Sequence, residues 1–240
     1  MAAYDWRIAI VSAGLAAALV AFLIQPLRRP LDAIRNPHQP IRAGNLLKPL
    51  ALVWTTPRLR SLGLMGFVYS GSQVAIATFY VVYLTSELSM TLTRAGLVYM
   101  FLQISAVLGR LFWGAIADRL VPANRLLVGI GIATAVFSLL AGSFAADSPV
   151  WLVGGVSFLL GITSSGWNGL FFSELVKHAP KGRTGDAAGG LQFATLAGVA
   201  CLPPLFGFLV SGTESYFFAF AAAAGLVACA ACQFAWSFRR

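Results

Sequence analysis

Seven apolar runs divide the chain. They cover residues 8–24 and then about 62–84, 95–117, 126–145, 150–172, 187–210 and 216–236. A helix needs roughly 20 apolar residues to cross hydrocarbon, and lipid obliges every backbone polar group to be satisfied internally. The pattern therefore predicts seven spanning helices. Short loops join the last six, which predicts antiparallel neighbours. The stretch 25–61 is different. It carries Arg28, Arg29, Arg35, Arg42, Lys48, Arg58 and Arg60 against Asp32 alone, and Pro26, Pro30, Pro37, Pro40, Pro49 and Pro57. The prolines break helices, and the charge predicts a cytoplasmic segment. Within it, residues 46–54 are apolar enough to lie on the membrane surface as a short amphipathic piece. An ordinary linker is the other reading. The expected organisation is a first transmembrane helix at 1–27, a basic cytoplasmic linker at 28–61 and a six-helix bundle at 62–238.

Loop charge sets the expected direction of the chain. Loops at 85–93, 146–149 and 211–215 carry only Glu87, Asp147 and Glu214. The alternate loops carry Arg119, Arg125, Lys177, Lys181 and Arg183. With the linker and the terminal Arg239 and Arg240, fourteen of the seventeen Lys and Arg fall on one side. Arg7 and Arg94 fall on the other, and Arg110 lies inside a run. Positive loops stay inside, so the N-terminus is expected outside and the C-terminus in the cytoplasm of a plasma or bacterial inner membrane. The first run is not read as a signal peptide. Asp5 and Arg7 cancel before it, and the strong cluster Arg28–Arg29 follows it.

Composition agrees. The chain is 58% hydrophobic and 10% charged, with a mean hydropathy of +0.79. Soluble domains carry about 25% charged residues. The net charge of +9 does not predict nucleic acid as a partner, because its positive groups sit in loops between apolar runs. Cys201, Cys229 and Cys232 lie in apolar runs and are read as small packing residues, not as a metal or redox pair. No metal and no cofactor is expected. His38 and His178 lie in loops and are given no role.

One stretch is unusual. Residues 109–119 read GRLFWGAIADR, so an apolar run ends on an acid–base pair. Arg110, Gly114 and Asp118 are four apart and share a helix face. This stretch resembles the G-x-x-x-D-R loop signature of the major facilitator superfamily, in the form found in the second half of such transporters. Gly109, Arg110, Gly114, Asp118 and Arg119 match; the trailing basic cluster is reduced to Arg125. Residues 166–190, GWNGLFFSELVKHAPKGRTGDAAGG, are similar to a helix, basic loop and helix of the same half. The resemblance implies an all-α polytopic bundle with a 3+3 inverted repeat, corresponding to a C-terminal half plus one preceding helix. It also implies an N-terminal half supplied by the same gene or by a separate chain. Asp118 would find its main partner in that opposite half.

Transporters of this kind bind solute near the bilayer midplane between their halves. Polar side chains within the runs are therefore candidate pathway residues. Tyr69, Gln73 and Tyr80 lie in the second run, Tyr99 and Gln103 in the third, Ser164, Ser165, Trp167 and Asn168 in the fifth, and Gln192 in the sixth. Tyr69, Gln73, Gln103, Trp167, Asn168 and Gln192 are the chosen set. An amide in hydrocarbon is costly unless paired, so helix–helix bonding is the competing role. The resemblance implies that Glu174 pairs with Arg110 or Arg119 as part of a gate. Pro203 and Pro204 are expected to interrupt and kink the sixth run as a hinge. Gly185 and Gly189 are spaced for close helix approach. No Asp, Glu, Lys or His lies near the middle of a run, so a coupling acid would have to come from the other half.

The expected function is alternating-access transport of a small organic solute, with secondary active coupling. A truncated or accessory half without transport of its own is the alternative. A seven-helix receptor fits poorly, because the last run has no Lys for a retinal Schiff base and no asparagine–proline motif. An enzyme fits least, since no HExxH, GxSxG or paired catalytic carboxylate is present.

Overall fold

A computed structural model describes residues 6–27 and 47–238. The first part of the linker, with Arg28, Arg29, Asp32, Arg35, His38 and Arg42, lies outside the described residues, as do Asp5, Arg239 and Arg240. The chain forms two compact units, Met1–Ala43 and Gly44–Arg240. The first holds helix α1, Trp6–Ile24, and one 3₁₀ turn, Gln25–Leu27, at Pro26.

The second unit is all helix: α2 Lys48–Thr55, α3 Pro57–Ser86, α4 Leu92–Arg119, α5 Ala123–Gly142, α6 Val150–Ser164, α7 Trp167–His178, α8 Thr184–Thr213 and α9 Tyr216–Ser237. Pro49 and Pro57 sit in the first turns of α2 and α3, where a missing N–H costs nothing. The Thr91 hydroxyl accepts the Arg94 N–H and caps α4. Glu214, at φ 52°, closes α8. Six segments are long and apolar enough to cross a membrane, α6 and α7 counting as one, and Ile10–Ile24 is a shorter apolar helix.

Two features differ from the run boundaries. The first spanning helix of the bundle starts at Pro57, so the end of the linker is helical. α2 packs against α8 and α3 with Leu52 and Val53 buried, while Leu47 and Trp54 are exposed. It is amphipathic, and its apolar side faces protein.

The most extensive packing is α3 on α8, α9 on α5, and α4 on α6. Small residues allow it. A Cβ on Gly198 would lie 1.9 Å from the Phe67 carbonyl oxygen, and one on Gly71 would lie 2.4 Å from that of Gly198. No side chain fits there, so α3 and α8 touch backbone to backbone. Gly185 meets nothing within 4 Å and Gly189 only the ring of Pro49; the close approach to α2 is made by Gly190. Buried tyrosines tie the other helices. Tyr69 donates its hydroxyl to the Leu127 carbonyl at 3.0 Å, and the Tyr80 hydroxyl meets Ser157 Oγ at 2.6 Å. Cys201, Cys229 and Cys232 are free and exposed rather than placed at helix contacts. A thiol is apolar enough to face lipid as readily as a helix.

Candidate functional site

The α3–α8 crossing leads into a cavity of about 190 Å³. Ser70 anchors the crossing by donating to the Thr195 carbonyl at 2.8 Å. One turn further along α3, Gln73 enters the cavity wall; Trp167 and Asn168 enter from α7, and Gln192 from α8. Four of the six expected pathway residues thus converge from three helices. Phe171, Phe172, Leu196 and Val199 supply apolar wall. The Trp167 indole donates to Gln73 Oε1 at 3.0 Å. An indole N–H can only donate, so the Gln73 carbonyl must accept and its NH₂ is left over. By the same logic Asn168 Nδ2 donates to the Ser165 carbonyl at 3.1 Å and leaves its own carbonyl oxygen free.

A second cavity, of about 280 Å³, shares Gln73 and Val74 with the first. Gln103 and Arg110 enter it from α4, with Ser164 and Ser165 from the end of α6. Gln103 and Arg110 are seven residues apart and therefore lie on one face of α4. Tyr69 lines neither cavity. It is buried, its hydroxyl is spent on Leu127, and its ring meets Trp167 edge-on at 5.8 Å. It packs on Trp167 from outside the two cavities.

The fifth span breaks at Ser165–Gly166 between α6 and α7. The break has a mate on α4. A Cβ on Gly109 would stand 2.4 Å from the Ile162 carbonyl oxygen, and Trp113 Nε1 donates to that oxygen at 2.9 Å. A Cβ on Gly166 would meet the Trp113 ring at 2.2 Å. The stretch 109–119 thus presses a glycine and an indole into the break, and Trp167 and Asn168, which follow the break directly, line the first cavity. Sequence reading missed Trp113 and the break. Both had signals: an indole in an apolar run needs an acceptor, and Ser164–Ser165–Gly166 is a helix-breaking cluster.

The interruption expected at Pro203–Pro204 does not occur. α8 runs unbroken through both. Each proline still removes an N–H, so the carbonyls of Val199 and Ala200 lack intrahelical donors, and Val199 lines the first cavity. The expected pairing of Glu174 with Arg110 or Arg119 is also replaced. Glu174 is 3% exposed and takes Lys177 Nζ at 2.9 Å and His178 Nδ1 at 3.6 Å. These partners lie one turn along the same helix, so no second helix has to be brought to it. Asp118 and Arg119 are exposed at the end of α4 and make no ion pair among the described residues. Gly114 meets nothing within 4 Å, so no close approach among the described residues requires it.

A search among curated proteins returned no match. Among solved structures, the chain is similar to a variant of the E. coli fucose:proton symporter FucP, with a TM-score of 0.66 and 17% identity. The match covers 82% of this chain and 46% of the symporter, so the chain spans about half the length of that protein. This likeness shows the fold: an all-helical bundle of the facilitator kind. The family model of the Major Facilitator Superfamily matches residues 1–195, most of the sequence. With this match, the bundle and the spans in hand, the chain belongs to the Major Facilitator Superfamily, a family of multi-pass membrane transporters and not of enzymes.

Proposed function

We propose that the second unit is one bundle of a transporter that moves a small organic solute by alternating access as a secondary active carrier. The observation that carries this reading is the convergence of Gln73, Trp167, Asn168 and Gln192 on one cavity that continues, through Gln73, to Gln103. Amides in apolar helices are costly unless they meet partners or a polar path. Here Gln103 and Gln192 have no side-chain hydrogen bond among the described residues, which suits a path. A second bundle, from the same gene or a separate chain, closes the opposite wall; the 46% coverage of the symporter is consistent with that. Bundles of this kind rock about a site near the midplane. The first helix then runs from an external N-terminus, and the basic linker and the C-terminus lie in the cytoplasm of a plasma or bacterial inner membrane. Pro203 and Pro204 act as a hinge beside the cavity. The structural neighbour is a proton symporter; in this chain no Asp, Glu, Lys or His stands mid-span among the described residues, so a coupling acid belongs to the other bundle.

The test is solvent access. The full chain, with its three cysteines replaced, receives Gln73→Cys, Asn168→Cys or Gln192→Cys. Right-side-out and inside-out vesicles are then treated with a membrane-impermeant thiol reagent. All three positions should react from both sides, and Val136→Cys on the exposed face of α5 should not. No reaction from either side would sink the cavity reading. Reaction from one side only would favour an accessory half that does not alternate.

A further inference from the structure

Arg110 is out of place for a residue of a cytoplasmic loop motif. It lies nine residues inside the Arg119 end of α4, about 14 Å along the axis at 1.5 Å per residue. α4 has 28 residues, about 42 Å, so with the helix centred on a core about 30 Å thick Arg110 stands roughly 7–8 Å inside the hydrocarbon boundary. Its side chain is exposed within this unit, so a partner can reach it. It lines the second cavity and makes no ion pair among the described residues. A guanidinium is always charged, so it cannot escape the cost by losing its proton. An anion in the cavity would offset that cost.

The groups around it select donors. Gln73 turns its NH₂ away from the Trp167 bond, because its carbonyl is already taken. Ser164 and Ser165 contribute hydroxyls that make no side-chain hydrogen bond among the described residues, and Gln103 a free amide. No carboxylate lines either cavity. Beyond Gln73 the first cavity offers the Trp167 ring, Phe172, Leu196 and Val199. The site thus has a cationic, donor-rich end and an apolar, aromatic end.

We infer that the solute is a small organic carboxylate, with its carboxylate on Arg110 and the donors beside it and its apolar body against Trp167 and the first cavity's wall. The planar fork of an arginine matches a carboxylate in two-point contact, which a lysine does not. The inference rests on the cavity reading above and names the class of solute it admits.

The experiment is equilibrium binding of radiolabelled benzoate to membranes containing the full chain, displaced by unlabelled benzoate, hexanoate, benzamide or hexanamide. Saturable binding is expected, with the two acids displacing it roughly tenfold or more better than the two amides, as a charged hydrogen-bonded contact implies. Arg110→Gln should abolish the preference for acids, and Arg110→Lys should restore part of it. Amides that displace as well as acids, an unchanged preference in Arg110→Gln, or no saturable benzoate binding would each overturn the inference. The solute panel on the unaltered chain decides the matter even where Arg110→Gln fails to insert. Reactive cysteines at Gln73 and Asn168 without an acid preference would sink this inference alone; unreactive ones would sink the cavity reading beneath it.

Discussion

Two places in the bundle invert the usual rule for helix breaks. α8 carries Pro203 and Pro204 in its interior and runs unbroken from Thr184 to Thr213. The fifth span carries no proline between Val150 and His178, yet it breaks at Ser165–Gly166. The difference lies in what stands opposite. Beside the break, Gly109 lets α4 come to backbone contact with Ile162, and the Trp113 indole takes the Ile162 carbonyl. A foreign donor occupies an acceptor of the helix ladder, and the gap is filled by an aromatic ring. Around the prolines no such wedge is required; only two carbonyls lose their donors. A break here is made by a neighbour more than by the residue's own propensity.

The sharpest way to break this comparison is at Gly109. Gly109→Leu would drive a side chain into the Ile162 backbone, and overpacking of this kind costs about 1–3 kcal/mol or prevents assembly. The expected result is loss of a monodisperse peak in detergent, with Gly114→Leu close to normal because that position is open. Equal damage from both would show that the α4–α6 contact is not special.

Trp113→Phe comes next. It keeps the ring and removes the donor, so the expected loss is about 1 kcal/mol, seen as a lower midpoint of thermal unfolding. Hydrogen exchange should quicken at residues 162–168 and not in α8. Unaltered exchange there would mean that the break stands without its wedge.

Trp167→Phe tests the far side of the break. It removes one bond to Gln73, worth about 0.6 kcal/mol within a membrane bundle. Stability should barely move, while the rate of thiol labelling at Asn168→Cys should change because the cavity wall is freed. An unchanged rate would show that this bond does not order the wall.

The smallest effect is expected from the prolines. Pro203→Ala with Pro204→Ala restores two N–H groups to an already continuous helix, so stability should stay level or rise. A fall as large as that of Trp113→Phe would show that the prolines, too, are packed into a tertiary device.

Much of the bundle was legible in the chain. Hydropathy is a property of each residue and adds along a helix, so the spans could be found to within a few residues. The stretch 109–119 and the alternation of loop charge are likewise local, and they carried the family resemblance. Gln73, Trp167, Asn168 and Gln192 could be singled out because an amide or an indole in an apolar run is conspicuous alone. Tyr69 was conspicuous for the same reason, yet its hydroxyl serves the Leu127 carbonyl, a partner 58 residues away that no local pattern reveals. Glu174 went the other way: its partners were one turn along its own helix, and a distant arginine had been expected.

What the sequence alone determined, then, is which segments belong in hydrocarbon and which chemical groups had to be accommodated there. Burial energies and loop charges are set by single residues and short windows, so they need no fold to be read. The tertiary structure decided the rest: that Gly190 and Gly198, not Gly185 and Gly189, carry the close crossings; that the fifth span breaks and α8 does not; and that Arg110 opens onto a cavity with Gln73 and Gln103. Each depends on an approach of a few ångströms between segments remote in the chain, and one helix cannot specify what another will place against it.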